Sequence, residues 1–158
     1  MIFFHSGARS AELFRAQKQH VNLEKQEYKV TIRKGNSYRE VKKVILKNAL
    51  PFWTEIINEC TSDEDYLFTR GLQPSLVPTQ PYQITKRWKR LVKDKYNITA
   101  DFYALKHLFL DELDKKSNLA GHAGSHTTDV TERFYLFGSE SRKNEALKNI
   151  DINILDAV

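Results

Sequence analysis

Apolar positions along this chain change period several times, and each change marks an element. Arg9 to Gln19 are good helix formers without Gly or Pro, with Leu13 and Phe14 as apolar anchors, which predicts a short helix over 9–19. From Val21 to Leu46 the texture turns to β-branched and aromatic alternation. Tyr28, Val30 and Ile32 share one face, Gly35-Asn36 interrupts, and Val41, Val44 and Leu46 follow. A short strand at 21–24 and a hairpin across Gly35-Asn36 are therefore expected. Pro51 suits a first helical turn and leads Phe52, Trp53, Ile56 and Ile57 into a helix ending near Cys60.

Thr61 to Asp65 reads as an acidic turn and Tyr66 to Thr69 as a brief extended segment. Arg70 to Pro81, with three prolines and one glycine, reads as a surface loop. At 82–95 a helical stripe of Ile84, Trp88, Leu91 and Val92 opposes a Lys/Arg face. Thr99 or Asp101 can cap the next helix, which runs to about Lys116 with Phe102, Leu105, Phe109 and Leu113 at helical spacing. Gly121 and Gly124 punctuate a polar turn, a helix is expected over 127–135, and Ser139 opens a last one to about Asn149. The order predicts an α+β fold, mostly α-helical, with a small antiparallel β-sheet near the N-terminus.

Composition narrows the function classes. With 158 residues, 41% of them apolar, the chain can close one hydrophobic core, so residues 1–158 are expected to form a single domain. Cys60 stands alone and cannot form an internal disulfide, and the five histidines are scattered, which favours a reducing, cytoplasmic setting. No apolar run approaches the roughly 20 residues of a membrane span, so no membrane partner is expected. The net charge of +5 is unevenly spread. Residues 25–47 carry +6 and residues 86–95 carry +5, leaving the remainder at −6. Both basic blocks are candidates for phosphate contact, through Arg33 and Arg39 in the first and Lys86, Arg87, Lys89 and Arg90 in the second. The competing reading of 86–95 is the solvated face of an amphipathic helix.

Ordinary catalytic signatures are absent: there is no phosphate-binding Gly loop and no Gly-x-Ser-x-Gly elbow. His122 and His126 are four apart, but Gly121 and Gly124 argue against the continuous helix that would align them, so no metal site is expected. What remains is a dispersed set of cations and one tyrosine, each of which alone reads as an ordinary surface or core residue: Arg9 at a helix entrance, Lys34 before a turn, Lys106 in a helix stripe, and Tyr135 in Arg-Phe-Tyr-Leu-Phe.

Taken in order, these residues resemble the catalytic domain of the tyrosine recombinase (phage integrase) family. Ser6-Gly-Ala-Arg-Ser-Ala-Glu-Leu13 is similar to the family's first box, Thr-Gly-x-Arg-x-x-Glu-Leu, with Arg9 as the first active-site arginine. The hairpin from Tyr28 to Leu46 is similar to the one that carries the mobile active-site lysine, here Lys34. Tyr103-Ala-Leu-Lys-His107 is similar to His-x-x-Arg-His, departing from it at Tyr103 and Lys106. In the family the nucleophilic tyrosine follows the last-box histidine by nine residues. From His126 that spacing leads to Tyr135; from His122 it leads to Thr131. The first register leaves 20 residues between Lys106 and the histidine, closer to the family's separation, and we take His126 and Tyr135, with His122 in the preceding turn.

The resemblance implies cleavage and rejoining of double-stranded DNA through a 3′-phosphotyrosine, by an integrase of a mobile element, with no cofactor. Arg9 and Lys106 would hold the phosphate, Lys34 would protonate the leaving oxygen, His126 would assist, Tyr103 would donate a hydrogen bond, and Tyr135 would attack. Lys106 keeps the charge of an arginine without its bidentate fork. The resemblance further implies a C-terminal fragment of a longer integrase lacking its core-binding domain, monomeric when free and tetrameric on DNA. Two other readings compete: a catalytically impaired DNA-binding relative, and a protein-interaction domain with a merely solvating basic helix.

Overall fold

A computed structural model of the chain describes residues 1–71, 73–117, 119, 122–123 and 139–152, the side chains of 34, 111, 114–115 and 139–143 apart. Helices α1 (Ile2–Ser6) and α2 (Ser10–Leu13) precede the strands β1 (Val21–Asn22), β2 (Glu27–Lys34) and β3 (Ser37–Val44). Then follow α3 (Leu50–Asn58), α4 (Pro81–Trp88), a wide π turn over Lys89–Lys93, α5 (Asp94–Tyr96), α6 (Ala104–Lys116) and α7 (Ser139–Lys148). The strands form one antiparallel sheet in the order β1-β2-β3. The α+β expectation is therefore met. No helix among the described residues is long and apolar enough to cross a membrane.

The hairpin falls where the alternation puts it. Val30 pairs with Val41, Tyr28 with Lys43, and Lys34 with Ser37 at the tip, where Gly35 takes the left-handed conformation (φ 61°). Tyr28, Val30 and Ile32 are buried, so one sheet face covers the core. Tyr28 packs on Trp53 of α3 at 4.7 Å between ring centroids. α1 lies across α6, with Phe4 edge-on to Phe109 at 5.8 Å.

Several expectations need correction. The helix expected over 9–19 is helical only at 10–13, because Ala16 and Gln17 are drawn into pairing with a distant segment. The Leu67 N–H donates to the Ala16 carbonyl at 3.0 Å, and Gln17 bridges Tyr66. Met1 to His5, given no element above, lead into a helix whose five residues are all buried. The strand expected at 21–24 is two residues long. The helix expected over 82–95 is interrupted by the π turn, and Leu91 of its apolar stripe is exposed. The helix expected from Thr99 or Asp101 starts at Ala104 instead. Phe102 is held outside it, stacked on Phe3 at 4.3 Å, with Trp88 edge-on at 5.6 Å and donating its indole N–H to the Ala100 carbonyl. The helix expected over 127–135 lies outside the described residues.

Candidate active site

Arg9 is placed by backbone conformation before its charge comes into play. Gly7 ends α1 in the left-handed conformation (φ 59°), and the chain re-enters helix with Arg9 as the N-cap of α2. Glu12, one turn on, accepts the Arg9 backbone N–H at 3.0 Å and the Arg9 guanidinium at 3.2 Å. The carboxylate is buried while the arginine side chain is half exposed, so a fixed anion holds the guanidinium at the surface with donors to spare. Behind it, the Tyr28 hydroxyl donates to the Ser6 carbonyl at 3.0 Å and ties β2 to the segment before Arg9. Burial pushes the ionisation of Tyr28 far up, which keeps it a neutral donor.

Lys43 of β3 lies beneath this surface. Its side chain is buried and its ammonium donates to the Ala123 carbonyl at 2.7 Å. Its pKa is lowered to about 8, chiefly by burial, with Glu12 opposing the fall and the Lys106 and Arg9 charges adding to it. Lys106, on α6, is 1% exposed, with its ammonium 5.7 Å from the centroid of the Tyr103 ring. An ordinary helix residue when read alone, it is a covered cation in the fold. Tyr103 is the N-cap of α6, 37% exposed, with the His107 ring edge-on at 5.1 Å. Arg9 and Lys106 both act on the charge of Lys43, and Tyr103 lies against Lys106. Lys34 is described by its backbone alone, opposite Ser37 at the hairpin tip. His126 and Tyr135 lie outside the described residues.

The structure adds two residues that the sequence reading did not assign to the site. Lys43 sat unremarked in the first basic block; its signal was a lysine directly opposite buried Tyr28 in the hairpin register. His122, set aside above as part of the preceding turn, lines a small crevice with Ser6, Lys43 and Phe109, and its Nε2 donates to Asn144 Oδ1 of α7 at 2.6 Å.

The basic blocks divide differently. Arg33 and Arg39 are exposed but their register partners, Tyr38 and Ile32, place them on opposite sheet faces, so the hairpin does not bring them together. Lys86, Arg87 and Arg90 of the second block share one groove with Arg70 and Tyr82, and Arg87 donates to the Arg70 carbonyl. Lys89 is exposed outside that lining. Arg70 could not have been found by spacing, since it comes from the preceding loop.

With this arrangement in place, the comparison with known proteins is decisive at the level of family. The model described as "Phage integrase family" matches residues 1–130. The chain belongs to the phage integrase family. Its match takes in Arg9, Lys34, Tyr103, Lys106 and both candidate histidines, and ends before Tyr135. Among solved structures, the fold is similar to the crystal structure of XerA recombinase, with a TM-score of 0.62 and 19% identity over 96% of this chain. The chain spans 57% of the length of that recombinase. No curated protein matches the chain.

Proposed function

We propose that the chain cleaves and rejoins strands of double-stranded DNA through a tyrosine-linked intermediate. The observation that carries the reading is Arg9, held half exposed by buried Glu12 above two buried cations, Lys43 and Lys106. A phosphodiester seated on Arg9 would meet a guanidinium fork at its oxygens and a positive field from behind, where charge grows in the transition state. In the step we propose, the Tyr135 hydroxyl gives up its proton to His126 or to water as its oxygen bonds to phosphorus, the bond to the 5′ oxygen breaks, and Lys34 gives that oxygen a proton. His126 assists at the phosphate or at Tyr135, and Tyr103 donates a hydrogen bond. The phosphate remains esterified throughout, so a second strand's 5′ hydroxyl reverses the step with no external energy. The groove of Arg70, Lys86, Arg87 and Arg90 supplies backbone contacts, joined by Lys89, Arg33 and Arg39, and assembly on DNA is tetrameric.

A second reading also has observations behind it. Lys106 is covered, and His122, whose ninth following residue is Thr131, lines one crevice with Lys43. On this reading the chain binds DNA and cleaves poorly. Incubation with a nicked duplex carrying the end sequences of the element that encodes the chain separates the two. We expect a covalent protein–DNA adduct that disappears in Tyr135→Phe and survives in Thr131→Val. An adduct that persists in Tyr135→Phe overturns the nucleophile assignment, and retention on duplex without any adduct supports the second reading.

A further inference from the structure

Lys43 is a charged side chain in a place that packing alone would fill with an aliphatic one. It faces inward opposite Tyr28, in a strand where the neighbouring buried positions are apolar. A buried ammonium is costly unless it meets a specific partner, and its partner here is a backbone carbonyl 80 residues away. That carbonyl is also where α1 ends. A Cβ at Gly7 would lie 2.8 Å from the Ala123 oxygen, closer than real Cβ contacts, so only glycine lets the two segments meet. Gly7 stands two residues before Arg9, and Ala123 immediately follows His122. The Ala123 oxygen thus joins β3, the Arg9 segment and the 122–123 turn at one atom. Where a polar turn was expected, His122 and Ala123 are helical: the Ala123 N–H donates to the Leu119 carbonyl at 3.0 Å, closing one helical turn, and His122 is tied onward to Asn144.

We propose that Lys43 is a positioning residue of the strand-cleavage site: its ammonium clamps the His122–Ala123 turn against Gly7 and so fixes the Arg9 box relative to the histidine-bearing segment. The contact stands on the geometry, whereas its role in cleavage rests on the function proposed above. Among the described residues, the charged or titratable groups placed around Lys43 are His5 of α1, Arg9 and Glu12 of α2, Tyr28 of β2, Lys42 beside it in β3, Lys106 of α6 and His122. The ordinary alternative is that Lys43 contributes only bulk positive charge to DNA binding.

The full chain is compared with Lys43→Met, which keeps the stem and loses the donor, and with Lys43→Arg, which keeps a charged donor. Three quantities are read: amide hydrogen exchange at Ala123 and along β2, affinity for a duplex, and the rate of adduct formation at saturating nicked duplex. In Lys43→Met we expect Ala123 to exchange at least about 10-fold faster with β2 unchanged. Duplex affinity should stay within about twofold while the adduct rate falls about 10-fold or more, as for a misplaced rather than a missing group. Lys43→Arg should recover much of both losses. Unchanged exchange at Ala123 overturns the clamp, and a loss of affinity equal to the loss of rate overturns the positioning role in favour of bulk charge. If Lys43→Met does not fold, Lys43→Arg decides: faster exchange at Ala123 than in the parent overturns the clamp, and protection equal to the parent supports it. Absence of an adduct from the parent chain would count against strand cleavage, and the exchange measurement would still decide the clamp.

Discussion

At the Ala123 oxygen two single residues, Gly7 and Lys43, bear consequences that can be measured by unfolding. Gly7→Ala forces a side chain into a left-handed backbone and against a carbonyl that another segment holds in place. A destabilisation of about 1–3 kcal/mol is expected from the backbone conformation alone, read as a lower midpoint in urea. Lys43 carries a pKa lowered from 10.5 to about 8, so below pH 8 the folded state bears the full cost of its charge. Between pH 8 and 10.5 the unfolded chain binds more protons, and stability rises with pH. Parent minus Lys43→Met unfolding free energy should increase by about 3 kcal/mol over that window. A flat difference would mean that the amine is not held charged in a dry site. Arg9 was legible in sequence because its N-cap position, Gly7 and Glu12 all lie within one turn of chain. Lys43 was legible only through the hairpin register, which sets it opposite Tyr28 while Lys42 falls opposite Lys29 on the other face.

Elements follow their sequence signals where a single periodicity meets a single partner. The β2-β3 hairpin and α3 are of this kind: alternation and Gly35 set the first, Pro51 and the Trp53 stripe the second. Tyr28 and Trp53, each 1% exposed, join the two. Trp53→Ala should cost about 3–5 kcal/mol, with a fall in thermal midpoint and loss of near-ultraviolet ellipticity; a change below 1 kcal/mol would contradict this packing. The 9–19 segment departs from its helix propensity because the pairing of Gln17 with Tyr66 and of Ala16 with Leu67 offers its backbone groups other partners. Phe102 likewise leaves the α6 pattern because stacking between Phe3 and Trp88 outweighs a further helical turn. Such competition depends on segments about 50 to 100 residues away and has no local trace.

Across the whole molecule, positive charge is sorted into two roles. Among the described residues, Lys43 and Lys106 are buried and Arg9 is half exposed beside Glu12, whereas Arg70, Lys86, Arg87 and Arg90 line an open groove. On the proposed function, replacing Lys86, Arg87 and Arg90 together by Gln should weaken duplex binding and lower the slope of log affinity against log salt by about 2–3. A slope equal to that of the parent chain would place the DNA elsewhere. Sequence by itself determined the α+β order, the hairpin register, the family boxes and the total charge, because each is a matter of local pattern or counting. Only the tertiary structure decided that Lys106 is covered, that Lys43 and His122 share one crevice, and that Arg70 joins α4. Burial and the meeting of distant segments set the cost of a charge and the partner it finds, and neither is a property of neighbours in sequence.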